Sequence, residues 1–144
     1  MKVRPLQTIL DTNVIYSAAR SRTGASYKLL SLIPNDRFEV NISTPLVLEY
    51  EDVLKRPDSK ISLSEQQIDD ILDYMCRVAN QRKIHFQWRP LSPDPDDDFL
   101  LELAIACDCD YIVTYNIRDF YITSGFGIKV VTPKDFLRIL EEMS

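Results

Sequence analysis

Three apolar runs in this chain end in oxygen-bearing side chains. Thr8-Ile9-Leu10 runs into Asp11, Thr12 and Asn13. The run through Asn41 and Ile42 ends in Ser43 and Thr44. Tyr111-Ile112-Val113 ends in Thr114, followed by Asn116, Arg118 and Asp119. Further acids stand at Glu49 and in the cluster Asp94, Asp96, Asp97 and Asp98, while Lys and Arg are absent from positions 91 to 117. Carboxylates that converge without cations raise one another's pKa. A hard divalent cation removes that repulsion, and Mg²⁺ or Mn²⁺ takes oxygen ligands, keeps several waters and needs only a few carboxylates. Such an ion lowers the pKa of a bound water, orients it and stabilises charge on a phosphate under attack. Metal-assisted phosphodiester hydrolysis is the reaction class that suits this set of acids.

These residues meet only if the strands carrying them are neighbours. Apolar runs predict strands at 8–10, 38–42, 84–88, 111–114 and 128–131. Helical spacing predicts helices at 14–19 and 25–32. A third, from Ser43 or Thr44 to about 56, has Pro45 in its first turn and Pro57 as its stop. A long amphipathic helix is expected over 62–80, with Ser64 and Gln67 forming a capping box. A loop over 90–95 leads to a helix over 96–107, apolar nearly all round and therefore central, and Pro133 opens a last helix ending near 142. Strands alternating with helices predict an α/β fold with a mainly parallel sheet and helices on both faces. In such sheets ligands bind beyond the carboxyl ends of the strands, where all three polar clusters lie. Glu49 sits at the edge of its helix's apolar stripe, beside Val53 and near Leu46, and a carboxylate there needs a partner. The macrodipole favours acids in a helix's first turn. Capping therefore accounts for one or two of the four clustered aspartates, and leaves the others to explain.

The 144 residues fit a single domain spanning 1–144, with 45% hydrophobic and 27% charged residues and no repeat or low-complexity segment. No apolar stretch is long enough to span a bilayer, so no membrane partner is expected. The first residues lack the apolar core of a signal peptide. Three cysteines, Cys76, Cys107 and Cys109, suit reduced thiols, so the expected location is cytoplasmic. Cys107-Asp108-Cys109 resembles half a metal site, but zinc wants two more soft ligands and the one histidine is His85. The end of a buried helix is the better reading. The net charge of −5 and pI near 4.9 argue against a simple nucleic-acid-coating module, and are compatible with an acidic pocket that holds cations.

Taken together, "ILDTNVIYSA", "ISTPLVLEYEDVLKRP", "DPDDDFLLELAIACDCDYIVTYNIRDF" and "VVTPKDFL" cover most of the chain, in an order and spacing that resemble the PIN-domain nucleases. The resemblance is to their VapC-like branch, the toxins of toxin–antitoxin pairs. It implies a three-layer α/β/α sandwich around a parallel sheet and an Mg²⁺- or Mn²⁺-dependent ribonuclease. It also implies an RNA substrate, a cognate antitoxin and, as is common in the family, a homodimer. Matched by position, the catalytic and metal-binding acids fall on Asp11, Glu49 and Asp98. Asn13, Ser43 and Thr114 match the small polar residues of the site, and Asp97, on another side of its helix, is a supporting acid. Many family members carry an acid two residues after the strand threonine, where this chain has Asn116. An amide oxygen can ligate a metal or hold a water, but brings no charge. Asp119 could supply that charge, or could instead cap the next segment or pair with Arg118. RNA contacts are expected from Arg20, Arg22, Lys28 and Arg118. Tyr16, Tyr115 and Trp88 could stack on bases. Two other readings compete. One is a degenerate PIN domain that binds RNA or protein without cleaving it. The other is a phosphatase or receiver fold, which is disfavoured by Asn13 where the former wants an acid and by the lack of an acidic pair and strand-end lysine for the latter.

Overall fold

A computed structural model of the chain describes residues 4–83 and 98–143, with only the backbone path for residue 98 and for 121–124. Its elements in chain order are β1 (Leu6–Leu10), α1 (Thr12–Arg20), α2 (Ala25–Ser31), β2 (Phe38–Ile42), α3 (Thr44–Leu54), α4 (Glu65–Val78), β3 (Asn80–Gln81), α5 (Asp98–Ala106), β4 (Tyr111–Val113), a kinked 3-10 segment (Ile117–Phe126), β5 (Lys129–Val131) and α6 (Pro133–Glu142). The five strands form one sheet in the order β3-β2-β1-β4-β5, and every pairing is parallel. Six helices flank it, as the alternating pattern requires for an α/β/α sandwich. Buried Ile9, Leu10, Ile112 and Val113 form the sheet's centre, packed with Val14 and Ile15 of α1, Leu46 and Tyr50 of α3 and Leu103 of α5. Among the described residues no helix is long and apolar enough to cross a membrane.

Local chemistry sets the helix starts. Ser64 accepts from the Gln67 amide at 3.1 Å while the Gln67 side chain accepts from the Ser64 amide at 2.9 Å, which is the predicted capping box. Ser43 caps α3, and α3 ends at Leu54, before Pro57, with Lys55 as its C-cap. Thr132 caps α6, whose first turn contains Pro133. The three cysteines are free thiols. Cys107 and Cys109 are buried behind α5, with Asp108 between them in the left-handed region at φ 52°.

Two details differ from the sequence reading. Asn80, expected as the last residue of the α4 helix, instead joins Gln81 in β3, where the two pair with Asn41 and Ile42, and the Arg82 amide donates to the Ile42 carbonyl at 2.8 Å. Residues 117–126 form a 3-10 segment that no periodicity announced. The expected strand at 84–88, the loop at 90–95, His85, Trp88, Asp94, Asp96, Asp97 and the side chain of Asp98 lie outside the described residues.

Candidate active site

The register of β1 against β4 builds the site. Leu10 pairs with Val113, so the next residues, Asp11 and Thr114, stand side by side at the carboxyl edge of the sheet. Backbone bonds extend the ladder past the strand ends: the Asp11 amide donates to the Val113 carbonyl and the Thr114 amide to the Val131 carbonyl, both at 2.9 Å. Asp11 is also the N-cap of α1, its Oδ1 accepting from the Thr12 amide at 2.8 Å. Its Oδ2 accepts from the Thr114 hydroxyl at 2.7 Å and from the Asn13 side-chain amide at 3.2 Å. Asn13 is fixed in turn: its Nδ2 also donates to Thr114 Oγ1 at 3.2 Å, and its Oδ1 accepts from the Tyr115 amide at 3.1 Å. Asp11 is only 8% exposed. Burial pushes its carboxyl above the ordinary range, while the donors on Thr114, Thr12 and Asn13 pull it down. The negative charge of Asp119 adds to the upward push, which places Asp119 within electrostatic reach of Asp11.

Helix α3 brings the second acid. The Thr12 hydroxyl donates to Glu49 Oε2, linking the start of α1 to the middle of α3. Beneath them the fully buried Tyr50 donates its hydroxyl to the Leu10 carbonyl. Burial, with the charges of Asp11 and Glu49 nearby, pushes the Tyr50 phenol well above its usual range, so it stays protonated as a structural donor. Asp11, Thr12, Asn13, Tyr16, Glu49, Val53, Arg56, Asp58, Ser59 and Asn116 line an open cleft of about 470 Å³. The amide of Asn116 donates to Thr114 Oγ1 at 3.0 Å, and the Asp119 amide donates to the Asn116 carbonyl at 3.1 Å, which starts the 3-10 segment. A second recess, of about 400 Å³, is lined by Tyr115, Asn116, Ile117, Arg118 and Asp119.

Among the described residues no three acids or soft ligands cluster tightly enough to hold a metal by themselves. The donor set still fits a hard cation in kind. Asp11, Glu49 and Asn116, all oxygen-bearing, border one cleft, and the charge of Asp119 is felt at Asp11. Asp98 opens α5, and its side chain is outside the described set.

The remaining expected residues are scattered. Ser43 lines a neighbouring groove with Thr44, Leu48, Arg82 and Lys83, not the Asp11 cleft, and its hydroxyl caps α3. Arg20 ends α1, about 12 Å along the helix axis from Thr12. Arg22 and Lys28 are exposed in the turn after α1 and on α2, and neither lines the cleft. Tyr16 does line it, with its hydroxyl donating to the Ser59 carbonyl, and the Tyr115 hydroxyl bonds Ser26 Oγ at 2.6 Å. Thr12 belongs to the polar strand end that the sequence marks, while Tyr50 and Arg56 carry no such mark. Of these two, Arg56 alone carries a usable signal, a cation at the expected end of the helix that carries Glu49.

In sequence, residues 7–118 match the PIN domain family. The fold is similar to that of a chain in the crystal structure of VapBC2 from Rickettsia felis bound to a DNA fragment from their promoter, at 17% identity and TM-score 0.59, covering 87% of this chain and 97% of that one. It is similar as well to a chain of VapBC-1 from nontypeable Haemophilus influenzae, at 17% identity and TM-score 0.58, covering 90% of this chain and 99% of that one. At such identities the likeness is one of fold. No curated protein matches the chain in sequence.

Proposed function

The chain belongs to the PIN-domain family, and from that premise we propose that it is a metal-dependent ribonuclease, the toxin of a toxin–antitoxin pair. The family supports nuclease chemistry. The observation that carries the reading is Asp11: a buried carboxylate held by donors from Thr12, Asn13 and Thr114 at the rim of an acid-lined cleft. Keeping such a charge out of water is costly unless something uses it.

Asp11, Glu49 and Asp98 would hold Mg²⁺ or Mn²⁺, with Asp119 and Asn116 available at the rim. When bound, the ion would supply an activated water and neutralise charge on the phosphate. The residues of the chain do the positioning. Thr114 and Asn13 fix the Asp11 carboxylate, and Thr12 fixes Glu49 by the hydroxyl bond across the helix pair. Asn116 offers an oxygen without charge where many family members have an acid, and Asp119, close enough to raise the Asp11 pKa, offers the missing charge. The similar structures are of VapBC pairs, which supports an antitoxin protein as partner. RNA as substrate, a homodimer and a cytoplasmic location belong to the same proposal.

The uncharged Asn116 side chain in the cleft favours a second reading, a PIN domain that binds RNA or protein without cutting. Cleavage of single-stranded RNA with Mn²⁺ separates the two. Wild type should cut, and Asp11→Asn and Asp98→Asn should not. Saturation with Mn²⁺ at about a hundredfold excess over Kd should stabilise wild type by about 2.7 kcal/mol, and Asp98→Asn should remove most of that gain. A protein that binds RNA but whose melting temperature ignores Mn²⁺ would establish the binding-only reading.

A further inference from the structure

We propose that Arg56 holds a backbone phosphate of the substrate against the α3 wall of the Asp11 cleft; the proposal rests on the ribonuclease reading above. Glu49 and Val53 lie one turn apart on α3, Arg56 follows just past the helix's C-cap, and all three line the cleft. This wall begins at Glu49, the carboxylate that accepts the Thr12 hydroxyl, and ends at Arg56, just beyond the last turn of α3. The other charged residues lining that cleft are Asp11, Glu49 and Asp58, so among the described lining residues Arg56 is the one cation. A cleft with that balance repels a polyanion everywhere except at Arg56, and a bound metal would neutralise only its acid end.

The position of Arg56 is fixed on both sides. One guanidinium nitrogen donates to Asp52 Oδ2, one turn back on α3, at 2.8 Å. Both side chains are solvated, at 56% and 67% exposure, and an exposed pair of this kind orients more than it binds. The guanidinium has five N–H donors, so a phosphate can be met bidentately while Asp52 keeps its bond. After Arg56 the chain turns sharply: the Ser59 amide donates to the Arg56 carbonyl at 3.1 Å, and Lys60 takes a left-handed φ of 59°. Tyr16 ties that turn to α1 by donating to the Ser59 carbonyl. The root of Arg56 is thereby anchored to the helix that Asp11 caps. Of the basic residues expected to touch RNA, Arg20, Arg22 and Lys28 do not line this cleft, and Arg118 lines only the adjoining recess.

The test is the affinity of a fluorescent, phosphorothioate-linked single-stranded RNA, followed by anisotropy in Mg²⁺ at several salt concentrations. Arg56→Ala should weaken binding about tenfold and flatten the slope of log K against log salt by about 0.7, the loss of one phosphate contact on a single strand. Arg56→Lys should keep the slope and lose most of the affinity, because a point charge replaces a bidentate fork. Arg56→Gln should lose the slope as Ala does. Arg20→Ala should leave both quantities near the wild-type values. In Mn²⁺-driven cleavage, Arg56→Ala should raise KM far more than it lowers kcat, with the Mn²⁺-induced rise in melting temperature intact. An Arg56→Ala protein with the affinity and slope of wild type overturns the assignment while leaving the ribonuclease reading in place. A wild-type protein that neither binds nor cuts RNA removes that reading, and this one with it.

Discussion

Replacing Thr114 by valine tests how the site is held. Valine keeps the β-branched shape at a position that is 0% exposed, so the main change is a methyl in place of the hydroxyl against Asp11. That hydroxyl donates to Asp11 Oδ2 at 2.7 Å and accepts from the Asn116 amide at 3.0 Å and from Asn13 Nδ2 at 3.2 Å. A hydrogen bond to a charged group contributes about 1.5–3 kcal/mol. The two accepted bonds add less, since Asn116 is exposed and its amide finds water, and Asn13 keeps its bond to Asp11. The expected cost in metal-free protein is about 2–3 kcal/mol, or roughly 8 °C in Tm for a chain of this size. Its pH dependence has a definite sign. The Thr114 donor favours ionised Asp11, acting against the burial that raises that carboxyl's pKa. The penalty in the variant is therefore full above the folded pKa of Asp11 and shrinks as pH falls through it. Urea denaturation with a chelator, repeated from neutral to acid pH, measures both. A penalty below about 1 kcal/mol, or one unchanged in acid, would refute the view that Thr114 holds a buried carboxylate.

Two other perturbations probe the same layer. Tyr50→Phe removes the donor to the Leu10 carbonyl, the group just before Asp11, and should cost about 1–2 kcal/mol in urea denaturation; a neutral result would mean that the carbonyl is satisfied without it. Asp11→Asn removes a carboxylate whose folded pKa lies above its ordinary 3.8. The native state then binds more protons than the unfolded one within that window, so rising pH penalises wild type and not the variant. In chelator, the variant's stability relative to wild type should climb from about pH 4 upward and then level off, and a decline instead would show that the donors outweigh burial.

Much of this was legible in the sequence because periodicity and strand-end polarity report the same geometry. A β-rich run that stops at Asp11 and another that stops at Thr114 become neighbours once the sheet is parallel, and the Leu10–Val113 register follows from which residues are apolar. The Ser64 box and the Pro-initiated helices were legible because capping is local. What escaped depends on tertiary context. Asn80 and Gln81 have weak strand propensity, and pair only because β2 presents a free edge beside them. Tyr50 looks like any core aromatic until its hydroxyl is seen under Leu10. Arg20 is nine residues from Asp11 along the chain, yet the length of α1 holds it at the far end of the helix from that acid. Arg56 is far along the chain and shares the cleft, because it leaves α3 just past the C-cap, in a turn that Tyr16 ties back to α1 through the Ser59 carbonyl.

The backbone ladder beyond the strand ends has a practical consequence. The peptide N–H groups of Asp11 and Thr114 are donors to Val113 and Val131, so slow exchange is expected at both, one in a candidate ligand and the other in the residue that donates to it. A nitrogen-15 spectrum would carry these two signals as intrinsic reporters of ion arrival, with no probe attached to the cleft. Because Val131 belongs to the edge strand, a lesion at that rim of the sheet should register in the Thr114 resonance before the Asp11 one.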